Sequence, residues 1–194
     1  MKPPIQIAFL TGQSNPGNAA LSPEQAAFLE ALPAPNEWKV QVNFPYPDAL
    51  PTFRRTPLLI ASFHNLALYF RSRRPAFAAA HRPAVLARLD RAERTLFLAG
   101  SSGLELLANL DLPVEALARV HVFAYGPVAR RLPGCNARFV QGRDLISRLY
   151  FRVGLPPERI ARVECDHLGY LSDPTVLALC IDYLSEVKAS EGIV

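Results

Sequence analysis

The chain has 194 residues, half of them hydrophobic and a fifth charged, with a formal net charge of +4; that length suits one domain over 1–194 and that composition excludes a disordered chain. No stretch approaches a membrane span, and the apolar run in MKPPIQIAFLTG is too short for the core of a signal peptide. The three cysteines Cys135, Cys165 and Cys180 are odd in number and form no CxxC, which argues against a disulfide framework and a zinc knuckle and leaves a reducing cytoplasm as the expected compartment.

IQIAFLT at 5–11 reads as a buried strand, followed by the loop GQSNPGN and a helix from LSPEQAAFLEAL, with Ser22 as N-cap and Pro23 in its first position. WKVQVNF at 38–44 alternates as a second strand, and the proline-studded FPYPDALPTFRRTP after it reads as an ordered irregular loop. Loops of that length inside a domain are often functional. Apolar residues at helical spacing mark 57 to about 72, and a shorter helix through PAVLARLDRAE precedes the third strand, TLFLAG at 95–100. The helix LELLANL comes next, then strands VHVFAYG at 120–126 and ARFVQG at 137–142, a short helix in DLISRLYFRVG, and a last strand, RIARVEC at 159–165. SDPTVLALCIDYLSEV closes the chain as a helix with Ser172 at its cap. Strands alternating with helices predict an α/β fold: a mostly parallel sheet of about six strands with helices on both faces.

Chemistry in such sheets gathers at the carboxyl ends of the strands. The residues there are Gly12, Gln13 and Ser14, then Tyr46, then Ser101 and Ser102, then Asp144, then His167. A serine hydroxyl needs a histidine to take its proton, an acid to hold that histidine, and backbone N–H donors for the oxyanion. Ser101, His167 and Asp144 fit the three roles, with oxyanion donors from Ser102 and from the Gly12–Gln13 loop. Helix capping is the plain alternative for Asp144, a packed strand-to-helix turn for Ser101, and a core histidine for His167. Asp166 is a second candidate for the acid, and Cys165 a remote one for the nucleophile.

AGSSGLE at the end of the third strand resembles the nucleophile turn of the α/β-hydrolase superfamily, small-x-Ser-x-small, with Ala99 and Gly103 flanking Ser101. Centred on Ser102 the flanks become Gly100 and Leu104, and Leu104 is too large. FVQGRDLISRL is similar to the family's acid-bearing segment, and ECDHLGYLSDPTVLALCIDYL to its histidine loop and last helix. The likeness covers roughly 95–187 and departs at Ala99, where glycine is usual, and in lacking two leading antiparallel strands and a lid. It implies a small, lidless serine esterase or thioesterase that works through an acyl-enzyme on Ser101, with His167 as base and Asp144 as orienting acid, and no metal or other cofactor.

LTGQSNPGN at 10–18 is similar instead to the first block of SGNH-type esterases, especially carbohydrate acetylesterases. That likeness makes Ser14 the nucleophile and puts Glu164 in place of the acid three residues before His167. Pro16 replaces the methionine usual there, and the middle Gly-x-Asn block is missing. A catalytically degenerate hydrolase fold acting as a binding protein is a further alternative.

Phe44, Tyr46 and Phe53 are expected to line an acyl pocket, and Arg54 and Arg55 to meet an anionic part of the substrate, such as phosphopantetheine on coenzyme A or on an acidic acyl carrier protein. Further arginines gather in RSRRP at 71–75 and at Arg130 and Arg131. They read first as a solvated face; neither a nucleic-acid nor a membrane partner is expected.

Overall fold

The computed structural model describes residues 2–193. Six parallel strands form one sheet in the order β2-β1-β3-β4-β5-β6. They are β1 (Ile5–Phe9), β2 (Lys39–Asn43), β3 (Arg94–Gly100), β4 (Val120–Tyr125), β5 (Asn136–Gln141) and β6 (Ile160–Arg162). Among the described residues the seven α-helices are α1 (Pro23–Ala31), α2 (Leu58–Arg71), α3 (Pro75–Leu89), α4 (Gly103–Asn109), α5 (Val114–Leu117), α6 (Leu145–Tyr150) and α7 (Pro174–Ser190).

Alternation along each strand sends side chains to two separate cores. Ile5, Ile7 and Phe9 of β1, with Leu96 and Leu98 of β3, pack under α1 and α7 through Leu29, Val176 and Cys180. Ala8 of β1 and Leu10 just past it, with Phe97 and Ala99 of β3, pack on the other face against α3 and α4 through Phe77, Val85 and Leu104. Each fully buried Phe or Leu contributes about 1.5–3 kcal/mol by leaving water. The apolar character of the strands on both faces follows from this double cover.

The expected Ser22 cap of α1 is present, and Gln25 adds the reciprocal bond of a capping box. Ser22 Oγ accepts from the Gln25 N–H at 3.2 Å, and Gln25 Oε1 accepts from the Ser22 N–H at 2.9 Å. At α7 the cap is Asp173 rather than Ser172, its carboxylate accepting from the Thr175 and Val176 N–H groups. Proline favours the first helical position, so Pro174 puts the cap one residue before it. The helix expected from Pro83 begins a full two turns earlier at Pro75, with Pro83 inside it. Segment 44–57 carries no helix or strand, as expected, and is tied to the loop after β1 by the Asn18 side chain donating to the Thr52 carbonyl at 2.7 Å.

This arrangement brings the carboxyl ends of β1, β3, β5 and β6 to one edge of the sheet. The loops there carry the residues singled out above.

Candidate active site

Ser101 sits where β3 ends and α4 begins, with φ of 50°. The left-handed conformation is unusual for a residue with a Cβ and costs of order 1–3 kcal/mol. Neighbouring backbone holds it there: its N–H donates to the Tyr125 carbonyl at 3.2 Å and its carbonyl accepts from the Val128 N–H at 2.9 Å. The glycine two residues on has a separate cause. A Cβ on Gly103 would stand 1.8 Å from the Leu10 carbonyl oxygen, so the start of α4 lies directly on the end of β1.

The two serines of this turn point in different directions. Ser101 Oγ lies 3.1 Å from His167 Nε2. Ser102 is buried and turned inward, its Oγ without a partner among the described residues and 3.0 Å from where a Gly12 Cβ would stand.

His167 Nδ1 is 2.5 Å from Asp144 Oδ2. An ionised carboxylate only accepts, so Nδ1 carries the hydrogen and Nε2 is left to accept from Ser101. Asp144 is 2% exposed, and its other oxygen accepts from the Ile146 and Ser147 N–H groups at 2.9 and 3.1 Å. The carboxylate therefore caps α6 with one oxygen and holds the histidine with the other, so the capping role and the partner role coexist.

Tyr170 completes this arrangement and carries no signal in the sequence beyond following the histidine loop. Its hydroxyl donates to Asp144 Oδ2 at 3.3 Å and accepts from the Gly142 N–H at 2.7 Å. Burial pushes its phenol up from the ordinary range, against the Gly142 hydrogen bond and together with the Asp144 charge. Gly126, at φ of 53°, admits this ring: a Cβ there would stand 2.5 Å from Tyr170 and 3.1 Å from Asp144 Oδ2.

Gly12 lies beside Ser102, and Gln13 follows it on the same loop. Among the described residues no backbone acceptor takes the N–H of Gly12, Gln13 or Ser102. Asn65 of α2, read from sequence only as part of an apolar helix, closes this corner; its Oδ1 would be 2.2 Å from a Gly12 Cβ. Ser14, by contrast, is exposed, with its carbonyl accepting from His64 Nδ1 at 2.8 Å and its hydroxyl 3.5 Å from Asn65 Nδ2. Both ring nitrogens of His167 are engaged elsewhere, and Glu164 forms a surface ion pair with Arg143. The serine, histidine and acid of the SGNH pattern are therefore not brought together. Asp166 is not the orienting acid either, since its carboxylate turns the loop by accepting from the Leu168 N–H at 3.1 Å.

The expected acyl pocket needs correction. Phe44 is fully buried, packed against Phe77 and His81 in the core under α3, and lines no opening. Tyr46 is drawn inward as well, donating its hydroxyl to the Phe9 carbonyl at 2.8 Å with the Arg88 guanidinium over its ring. The loop after β2 folds its aromatic start onto the sheet end because both rings find partners there. Phe53, Arg54 and Arg55 lie exposed further along it. The basic clusters divide too. Arg73 and Arg130 converge on the buried carboxylate of Glu105, and Arg131 donates to the Ala108 carbonyl. A cleft of about 690 Å³ between the start of α3 and the end of α4 is lined by none of Ser101, Asp144 and His167.

Cys165 is partly exposed near His167, but burial, with the charges of Asp173, Asp166 and Asp144, pushes its thiol up to about 11. A thiol held protonated at neutral pH is a poor nucleophile. Among the described residues no group of three or more His, Cys, Asp or Glu side chains is placed to hold a metal ion. No helix among them is long and apolar enough to cross a membrane. No protein-family model matches the chain, and a search of curated proteins finds no match.

Proposed function

We propose that the protein is a serine hydrolase of the α/β-hydrolase type that cleaves an acyl ester or thioester. The observation that carries this reading is the hydrogen-bonded series Ser101 Oγ, His167, Asp144, at 3.1 and 2.5 Å, with Ser101 held at φ of 50°. A strained serine facing a histidine held by a buried carboxylate is costly to build and has a chemical use.

In the reaction so proposed, Ser101 Oγ attacks the acyl carbonyl while its proton passes to His167 Nε2. Asp144 stays ionised and stabilises the imidazolium through Nδ1. The carbonyl oxygen becomes the oxyanion and takes the free N–H of Ser102 and those of the Gly12–Gln13 loop. Collapse breaks the ester or thioester bond, and His167 returns its proton to the departing alcohol or thiol. Water then attacks the Ser101 acyl ester, giving its proton to His167; the carboxylic acid leaves and Ser101 regains its hydrogen. With Phe44 and Tyr46 packed inward, the acyl group is met by apolar side chains that remain exposed at this edge, Leu145 beside Asp144 and Leu168 beside His167. The three free thiols fit a reducing cytoplasm.

Hydrolysis of p-nitrophenyl esters of increasing chain length by wild type and Ser101→Ala tests the reading. Turnover is expected in wild type and loss of about a million-fold in the variant. Equal turnover in both, or none in wild type with any ester or acyl thioester, would overturn it.

A further inference from the structure

From Ala49 to Leu89 the chain has seven arginines and not one aspartate or glutamate. This stretch contains α2, whose inner side is set by Ala61 and Tyr69. On the opposite side Leu59, Phe63, Leu66 and Phe70 fall at spacings of four, three and four, so they form one stripe. They are 86, 69, 55 and 54% exposed. Four large apolar residues in one stripe on open surface are a patch that ordinary solvated helices avoid.

Arginines bracket the stripe. Arg54 and Arg55 precede α2, and Arg71 and Arg74 stand at its end; all four are exposed, and none forms an ion pair among the described residues. An apolar stripe with cations at both ends has the pattern of a helix lying in the plane of an anionic lipid surface, side chains among the acyl chains and guanidinium groups on phosphates. A second copy is a poor occupant, because a two-fold contact through this face would bring the unpaired arginines of both copies together.

We infer that α2 docks the protein on an anionic lipid surface. The helix also borders the candidate active site, since His64 and Asn65 on its inner side touch the loop carrying Gly12 and Ser14. Across the sheet edge, Leu145 and Leu149 of α6 and Leu168 beside His167 are exposed as well. Docking through α2 therefore sets the mouth of the site against the lipid, and its substrate is an acyl ester delivered from that phase. This last step rests on the hydrolase reading; the docking does not. A surface contact also departs from the expectation of no membrane partner, which rested on the lack of a spanning segment.

The experiment is flotation of the full chain with vesicles of phosphatidylcholine alone and of phosphatidylcholine with a third phosphatidylglycerol, using wild type, Ser101→Ala, Leu59→Ser/Phe63→Ser and Arg71→Gln/Arg74→Gln. Wild type and Ser101→Ala are expected to float equally with the anionic vesicles, to bind neutral ones at least tenfold more weakly, and to be released by salt. Arg71→Gln/Arg74→Gln should lose about 25-fold in partitioning, roughly fivefold per arginine. Leu59→Ser/Phe63→Ser should lose at least about tenfold. These side chains are exposed, so circular dichroism should be unchanged. No flotation of wild type, flotation that ignores lipid charge, or undiminished flotation of both double variants would overturn the inference. So would an α2-dependent dimer or binding to an acidic carrier protein in place of vesicles. Because Ser101→Ala is scored by binding alone, failure of the hydrolase reading leaves a separate mark.

Discussion

The turns after β1 and β3 both place serines among small polar residues at the same edge of the sheet, yet the chain uses them in opposite ways. After β1, the loop turns on its own side chains: Asn15 Oδ1 accepts from the Gly17 N–H at 3.1 Å and Asn18 Oδ1 from the Ala20 N–H at 2.7 Å. Ser14 is left on the outside. After β3, the turn is tight, fixed by the Leu10 carbonyl against Gly103, and Ser101 takes a left-handed conformation that aims its hydroxyl at His167. Composition marks both turns; what sets Ser101 apart from Ser14 is a fixed backbone and a held histidine facing its hydroxyl.

The largest expected effect tests that contrast directly. Ser101→Ala should lower kcat about a million-fold against any ester the wild type cleaves, while Ser14→Ala stays within about twofold. Next comes Asp144→Asn, expected to drop kcat about 10⁴-fold by presenting the wrong tautomer of His167. A smaller loss would mean that the histidine is held by something other than this carboxylate. Tyr170→Phe should cost less than about tenfold in kcat, since Asp144 keeps its two backbone donors and His167. It should also lower stability by about 1–3 kcal/mol, seen in urea unfolding, because the buried Gly142 N–H loses its acceptor. The smallest effect is at Cys165. With its thiol raised to about 11, it stays protonated at pH 7.5 and gains thiolate only as pH climbs toward that value. Iodoacetamide should label it slowly at pH 7.5 and faster at pH 10, and activity should survive Cys165→Ser.

Much of this fold was legible because both faces of the strands are apolar, and a double-covered parallel strand reads as a continuous run. All six strands lie where that pattern puts them. The start of α3 was hidden by Pro83, which imitates a first helical position while standing inside the helix. At the site, Ser101, Asp144 and His167 were legible because each follows a strand, so the topology alone converges them on one edge. Tyr170 and Asn65 were not, since their contacts depend on how a loop and a helix pack across that edge. Phe44 and Tyr46 were misplaced for a related reason: sequence shows an aromatic loop at the right edge, but whether its rings face outward depends on partners such as Phe77, His81 and the Phe9 carbonyl.

The most direct test of the central claim is the mass of the intact protein after incubation with a fluorophosphonate, followed by peptide mapping of the adduct. A single adduct on Ser101 is expected, absent from Ser101→Ala and sharply reduced in Asp144→Asn. An adduct on Ser14, or none on a folded wild-type protein, would contradict it.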